Sequence, residues 1–288
     1  SVSATNMAKT SATVYTYSHT VGSGDGTATV SMATAQDVDT NVVNSAPSSG
    51  ATFTVDNTAP TFTADRTGDN TIVLTFSENV DVTTTNGAGY AVSGGTVTAN
   101  TDPAGSSTSM TLTTSGITDT SATPTVTYTQ ATGTTLDTAS NEVANTGNAV
   151  ATDSVSPTFT AERTAVDTIT LTFSENVDAD SSNENSAWTV SGGTVTATSD
   201  PADSDSMTIT FSGITDTSVT PTVTYVAANG TVDDGTPSNE VANGENAVST
   251  DGVGPTVTIT SSSGSSGNTV NSATLSYTAT FSESVSNF

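Results

Sequence analysis

The sequence predicts an all-β protein built as a string of sandwiches, and three observations carry that expectation. The chain repeats itself at a fixed offset, its apolar residues alternate with polar ones, and Gly and Pro clusters punctuate the runs without helical periodicity or caps. Pro60-Thr61-Phe62-Thr63-Ala64-Asp65-Arg66 returns 97 residues later as Pro157-Thr158-Phe159-Thr160-Ala161-Glu162-Arg163. Phe76-Ser77-Glu78-Asn79-Val80-Asp81 returns as Phe173-Ser174-Glu175-Asn176-Val177-Asp178. Pro124–Tyr128 and Asn141–Asn145 recur as Pro221–Tyr225 and Asn239–Asn243, and the proline phase comes round again at Pro255. A unit of this length can bury its own core, so the pattern reads as an array of domains.

In order, the first repeat is expected to carry seven strands, at 60–66, 71–77, 89–93, 95–100, 108–114, 124–130 and 147–153. The second is the clearest: Ile72, Leu74 and Phe76 are apolar and are kept as Ile169, Leu171 and Phe173, whereas outward-facing Val73 becomes Thr170. One face that keeps its hydrophobicity while the other drifts is a half-buried strand. Val126 and Tyr128 match Val223 and Tyr225 in the same way, and Thr at the outward positions suits a solvated sheet face. This divides the chain into a partial domain at 1–57, full repeats at 58–154 and 155–252, and a second partial domain at 253–288.

Seven strands in about a hundred residues is the pattern of an Ig-like sandwich. The linker Val55-Asp56-Asn57-Thr58-Ala59-Pro60, the strand Leu74-Thr75-Phe76-Ser77-Glu78 and the loop Asp137-Thr138-Ala139-Ser140-Asn141-Glu142-Val143 make the resemblance specific. The chain resembles the tandem Ig-like repeats of bacterial and archaeal surface proteins, including the type found in a cyanobacterial swimming protein. The flanks resemble the back and front halves of a related Ig-like type, with Phe281-Ser282-Glu283-Ser284-Val285 echoing the repeat strand. The resemblance implies a non-enzymatic, extracellular segment of a long chain: a stalk, adhesin, surface-layer or filament component. Its partners would be other domains of the same chain, like subunits in an array, or host and surface glycans. The other readings are a ligand- or carbohydrate-binding accessory module of a secreted enzyme, and a fragment of an enzyme whose catalytic domain lies outside this stretch. The chain reads as an excerpt from a longer, secreted polypeptide.

Composition narrows the partners. The formal net charge is -26, yet only 11% of residues are charged, because Lys9, Arg66 and Arg163 are the whole basic inventory. Phosphate binding needs clustered Lys and Arg, which excludes nucleic acid and anionic membrane surfaces. No run of residues is long and apolar enough for membrane insertion of this segment. Cysteine is absent and His19 is the single histidine, so neither full repeat can build a thiol nucleophile, a Ser-His-Asp triad or a histidine metal site. Paired acids could serve a glycosidase, but here they sit away from any aromatic cleft and recur in both copies, which favours a structural role. Asn229-Gly230-Thr231 is a glycosylation sequon.

Strand parity gathers acids at the pole where each repeat meets its linker. In the first repeat these are Asp56 from the linker, Glu78 and Asp81, then Asp102, and Asp137, Asn141 and Glu142; Asp119 approaches from the opposite side of the next joint. The second copy supplies Asp153, Glu175, Asp178, Asp200, Asp203, Asp205, Asp233, Asp234 and Glu240, and the third joint Asp251 and Glu283. Unpaired carboxylates about 5 Å apart repel by roughly 3 kcal/mol at an effective dielectric of 20. Calcium, which accepts six to eight oxygens, is the expected counter-ion. Screening by ordinary salt is the other account, since no EF-hand or glycine-rich nonapeptide pattern is present. Arg66 is expected to pair with Asp119 and Arg163 with Asp216, and Trp188 to be a core residue.

Overall fold

The computed structural model describes residues 7–31, 35–43, 49–179, 185–235, 238–261, 274 and 276–286, and all its regular structure apart from two short 3-10 turns is β. No helix among the described residues is long and apolar enough to cross a membrane. Two short antiparallel pairs come first: β1 (Ala8–Lys9) with β2 (Tyr15–Thr16), and β3 (Gly26–Thr29) with β4 (Thr52–Val55). Residues 62–153 then form β5 (Phe62–Gly68), β6 (Thr71–Val82), β7 (Tyr90–Val92), β8 (Thr96–Asn100), β9 (Ser107–Ser115), β10 (Thr125–Tyr128), β11 (Thr135–Asp137) and β12 (Asn148–Asp153). The copy supplies β13 (Phe159–Ala165), β14 (Thr168–Ala179), β15 (Trp188–Val190), β16 (Thr194–Thr198), β17 (Ser204–Ser212), β18 (Thr222–Tyr225), β19 (Val232–Asp233), β20 (Asn246–Val248) and β21 (Thr250–Asp251). The antiparallel pair β22 (Val257–Ser261) and β23 (Tyr277–Phe281) ends the series.

In residues 62–153 the strand order is β7-β10-β12-β5-β6-β9-β8, and β11 pairs with the far end of β6. The last strand ties the layers together. Thr125, Val126 and Thr127 of β10 pair antiparallel with its first half, while Ala151, Thr152 and Asp153 pair in parallel with Ala64, Asp65 and Arg66 of β5. A strand that leaves one sheet and enters another gives a sandwich-like, near-barrel closure. In the copy the same strand is interrupted at buried Ser249, so β15-β18-β20 and β16-β17-β14-β13-β21 stand as separate sheets.

Alternation explains the two cores. Ile72, Leu74, Phe76, Val80 and Val82 of β6 all point inward, joined by Met110, Leu112, Val126 and Tyr128. Ile169, Leu171, Phe173, Val177 and Ala179 of β14 do the same beside Met207, Ile209, Phe211, Val223 and Tyr225. Each large apolar side chain so buried contributes roughly 1.5–3 kcal/mol. Trp188 is a core residue, as expected: it is 2% exposed and packs edge-on against Phe159 and Phe173 and tilted against Tyr225.

Two expectations need correction. The second strand runs on to Val82 instead of stopping at 77, and an eighth strand, β11, lies where a loop was expected. Thr135, Leu136 and Asp137 pair with Val82, Asp81 and Val80, so Glu78 and Asp81 lie within a strand. A bulge between Thr75 and Val80 re-aims this extension. Second, the arginines do not form carboxylate ion pairs. Arg66 is fully buried, and its guanidinium donates to the carbonyls of Asp119 (2.7 Å), Thr120 (2.6 Å), Ala122 and Asp69. Arg163 repeats this with the carbonyls of Asp216, Val219, Val166 and Ile214, and lies over the Phe211 ring. The carboxylates of Asp119 and Asp216 instead cap their own turns through Ser121 and Ser218. A guanidinium offers five donors, and a tight turn exposes several carbonyls at once; one carboxylate could not satisfy that loop.

Candidate cation site at the repeat joints

Among the described residues two trios of carboxylates assemble, one at each end of residues 56–153. Asp56, Glu78 and Asp137 form the first, Asp153, Glu175 and Asp234 the second, and in each trio one oxygen per residue lies within 4.8 Å of the others. Every member of the second is 97 residues beyond its counterpart in the first. Each trio draws on three separate stretches: the end of the strand that enters the joint (Asp56 just after β4, Asp153 closing β12), the extended second strand, and the end of the short strand that pairs with it (Asp137 closing β11, Asp234 just after β19).

Local structure fixes each carboxylate. Glu78 and Glu175 fall in phase with the inward-facing residues of β6 and β14, so alternation turns them toward the interior. Asp137 is buried and anchors its own turn: its carboxylate accepts the N–H groups of Ala139 and Asn141 and the Asn141 side-chain amide. That amide also donates to the Asp56 carbonyl at 3.1 Å, clamping the linker onto the turn. The copy repeats the arrangement. Asp234 accepts the Asn239 backbone and side-chain N–H groups, both at 2.7 Å, and the Asn239 amide donates to the Asp153 carbonyl at 3.2 Å.

Glu175 is the anomaly of the site. It is 6% exposed, and neither carboxylate oxygen has a hydrogen-bond partner. Burial pushes its pKa up to about 7, reinforced by Asp153, Asp234 and Asp119; the Thr120 hydroxyl, whose own hydrogen bond goes to the Ser174 carbonyl, offsets this only in part. Burial likewise raises Asp153, with Asp234 and Asp119 adding to it and the Val155 N–H and Arg66 opposing. Glu78 is raised first by burial and then by Asp137, Asp56 and Asp25. Three carboxylates at this spacing repel by about 3 kcal/mol per pair at an effective dielectric of 20. A buried carboxylate with both oxygens unpartnered needs either a proton or a cation. The donor set of carboxylates beside backbone carbonyls is that of a hard divalent ion such as calcium.

The other candidates are not brought together. Asp81 and Asp178 face outward from β6 and β14, one position out of phase with the buried glutamates. Asp102 and Asp200 are exposed and cap their own turns through Ala104 and Ala202. Glu142 and Glu240 accept the hydroxyls of Tyr128 and Tyr225, both at 2.8 Å, which directs them away from the trio. Asp119 adds its charge to the second joint without entering the trio. At the third joint Asp251 caps Val253, and Glu283 is half-buried with one oxygen unpartnered. Thr120, Asn239 and Asp25 were not foreseen as site residues; Asn239 was detectable as the counterpart of Asn141. Asp25 accepts the Asn57 N–H and the Thr58 hydroxyl at the first joint.

Comparison with protein-family models finds no match to this chain, and comparison with curated proteins finds none either.

Proposed function

We propose that this chain is a non-enzymatic structural and adhesive segment of an extracellular prokaryotic surface protein, with Ig-like sandwiches joined end to end and calcium stiffening each joint. The supporting observation is the recurrence of one carboxylate trio at both repeat boundaries, in one case around a buried glutamate with no partner. A catalytic site has no need to be duplicated at each boundary of an array, whereas a hinge device does. Each trio unites a linker with the body that follows it, so a bound ion would fix the angle between them. Without the ion, mutual repulsion opens the joint. Millimolar calcium outside cells suffices for sites of modest affinity. The high negative charge keeps neighbouring arrays apart in salt water.

The carbohydrate-binding alternative needs an exposed aromatic row beside Trp188, and Trp188 is buried. The test of the main reading is small-angle scattering with calorimetry, in calcium and in chelator. Calcium should raise the melting temperature and lengthen and stiffen the particle. Identical profiles in the two conditions would overturn the reading.

A further inference from the structure

The acceptor sequence Asn-Xaa-Ser/Thr occurs once in the 288 residues, at Asn229-Gly230-Thr231, although the chain is rich in Asn, Ser and Thr. The first repeat has Thr132-Gly133-Thr134 at the same place, so the asparagine alone separates the two copies. The turn itself is kept. The Asn229 N–H donates to the Val226 carbonyl at 3.0 Å, as the Thr132 N–H does to the Thr129 carbonyl at 3.3 Å. Past the turn, the Val232 N–H donates to the Tyr225 hydroxyl at 3.0 Å, as the Thr135 N–H does to the Tyr128 hydroxyl at 2.9 Å. The middle glycine has a backbone reason, since a Cβ on Gly133 would lie 2.5 Å from the Gly89 Cα. Asn229 has no such reason: a threonine closes the same turn equally well.

Folding leaves Asn229 where a sugar fits. It closes the 3-10 turn Ala227–Asn229 and is exposed, as are Ala228 and Ser186 beside it. Its side-chain Nδ2 donates to the Ser186 carbonyl at 3.0 Å, and the Ser186 hydroxyl donates back to the Asn229 carbonyl at 3.2 Å. A primary amide carries two N–H groups, so one can be replaced while the other keeps the Ser186 carbonyl. The same contact sets where a sugar stands. Ser186 lies two residues before β15, which ends its sheet and among the described residues pairs only with β18. Such an edge offers unpaired backbone groups to other chains, and a bulky hydrated group beside it covers them.

We propose that Asn229 is an N-glycosylation site and that its sugar chain covers the β15 edge of the second repeat. The donor is an oligosaccharide carried on a polyprenyl phosphate or diphosphate. Asn229 Nδ2 attacks C1 of the first sugar: the N–C1 bond forms, the bond from C1 to the phosphate oxygen breaks, the lipid phosphate leaves and Nδ2 gives up one proton. Donor and transferase belong to the export route of the cell. This rests on the extracellular part of the reading above and is independent of the cation.

Peptide mass spectrometry of the protein, recovered from the cells that make it and from their surroundings, tests this. The peptide that holds Asn229 should carry an oligosaccharide outside the cell, and peptide N-glycosidase should release it and leave an aspartate in its place. In a host that exports the chain past an oligosaccharyltransferase, Asn229→Gln and Thr231→Ala should each lose the whole added mass, and Thr231→Ser should keep part of it. Unchanged Trp188 fluorescence in every variant shows that the second repeat stays folded. Sedimentation should find Asn229→Gln self-associating at concentrations where sugar-bearing wild type stays monomeric; equal association would remove the covering role. A bare Asn229 on protein found outside the cell overturns the site and leaves the extracellular reading standing. Protein confined to the cytoplasm overturns both.

Discussion

At the first joint Asp56 and Glu78 are half-buried and only Asp137 is buried; at the second, Asp153 and Glu175 are buried and Asp234 is half-buried. The carboxylates are the same, so the difference lies in what covers them. At the second joint the turn at residues 119–122 lies over the site, held from below by Arg66 and touching the next repeat through the Thr120 hydroxyl and the Ser174 carbonyl at 3.1 Å. At the first, Asp25 from the preceding segment meets Asn57 and Thr58 of the linker instead, and its cover leaves Glu78 wetter. The repeat supplies the carboxylates, and the neighbour decides how dry they are. A drier site gains more from a cation and loses more without one.

The largest expected effect comes from removing what holds the cover. Arg66→Met should destabilise the first repeat by about 3 kcal/mol or more, because several buried carbonyls lose their donor at once. Asp119→Asn should cost under about 1 kcal/mol, since its carboxylate hydrogen-bonds only within its own exposed turn and its charge repels the neighbouring acids. Equal losses in chemical denaturation would restore the ion pair that the geometry replaces.

Calcium should separate the joints next. At a free concentration a hundredfold above the dissociation constant, a single site stabilises by about 2.7 kcal/mol. Trp188 is the single tryptophan, so its fluorescence follows the second repeat alone, while circular dichroism follows both. The fluorescence transition should gain more from calcium; a greater gain by the first repeat would reverse the comparison.

The pH dependence follows from Glu175. Its folded-state pKa, about 7, lies above the usual carboxylate value, so the folded state binds the extra proton. In chelator its contribution is intact below about pH 4.5 and is lost as pH rises through about 7. Calcium should remove that loss. A fluorescence-monitored melting temperature that rises over the same window in chelator would contradict the assignment. The smallest effect is expected from Thr120→Val, which should cost about 1 kcal/mol, confined to the second joint.

Much of this was legible in the residues. The fixed offset and the alternation along Ile72, Leu74 and Phe76 gave the all-β class, and strand ends mostly matched to within a residue or two. The convergence of acids on each linker was legible as well, but as too large a set. The strand extension to Val82 was missed because Ser77-Glu78-Asn79 reads as a polar turn, and a bulge lies within it. Yet Glu78 keeps the phase of Phe76 and Val80 while Asp81 does not, so an acid on the apolar face was the signal that singles it out. The loop that each arginine meets was legible, but the atoms it binds there were not. Backbone carbonyls leave no trace in sequence, and a lone Arg facing an Asp-bearing turn looks the same whether it binds the side chain or the main chain.

The central claim is that a cation is what the buried glutamate awaits, and Glu175→Gln tests it most directly. The substitution removes one repelling charge and one ligand while keeping the shape. Thermal unfolding followed at Trp188 should show Glu175→Gln melting above wild type in chelator and below it in calcium. A shift of the same sign in both conditions would mean that no ion is held there.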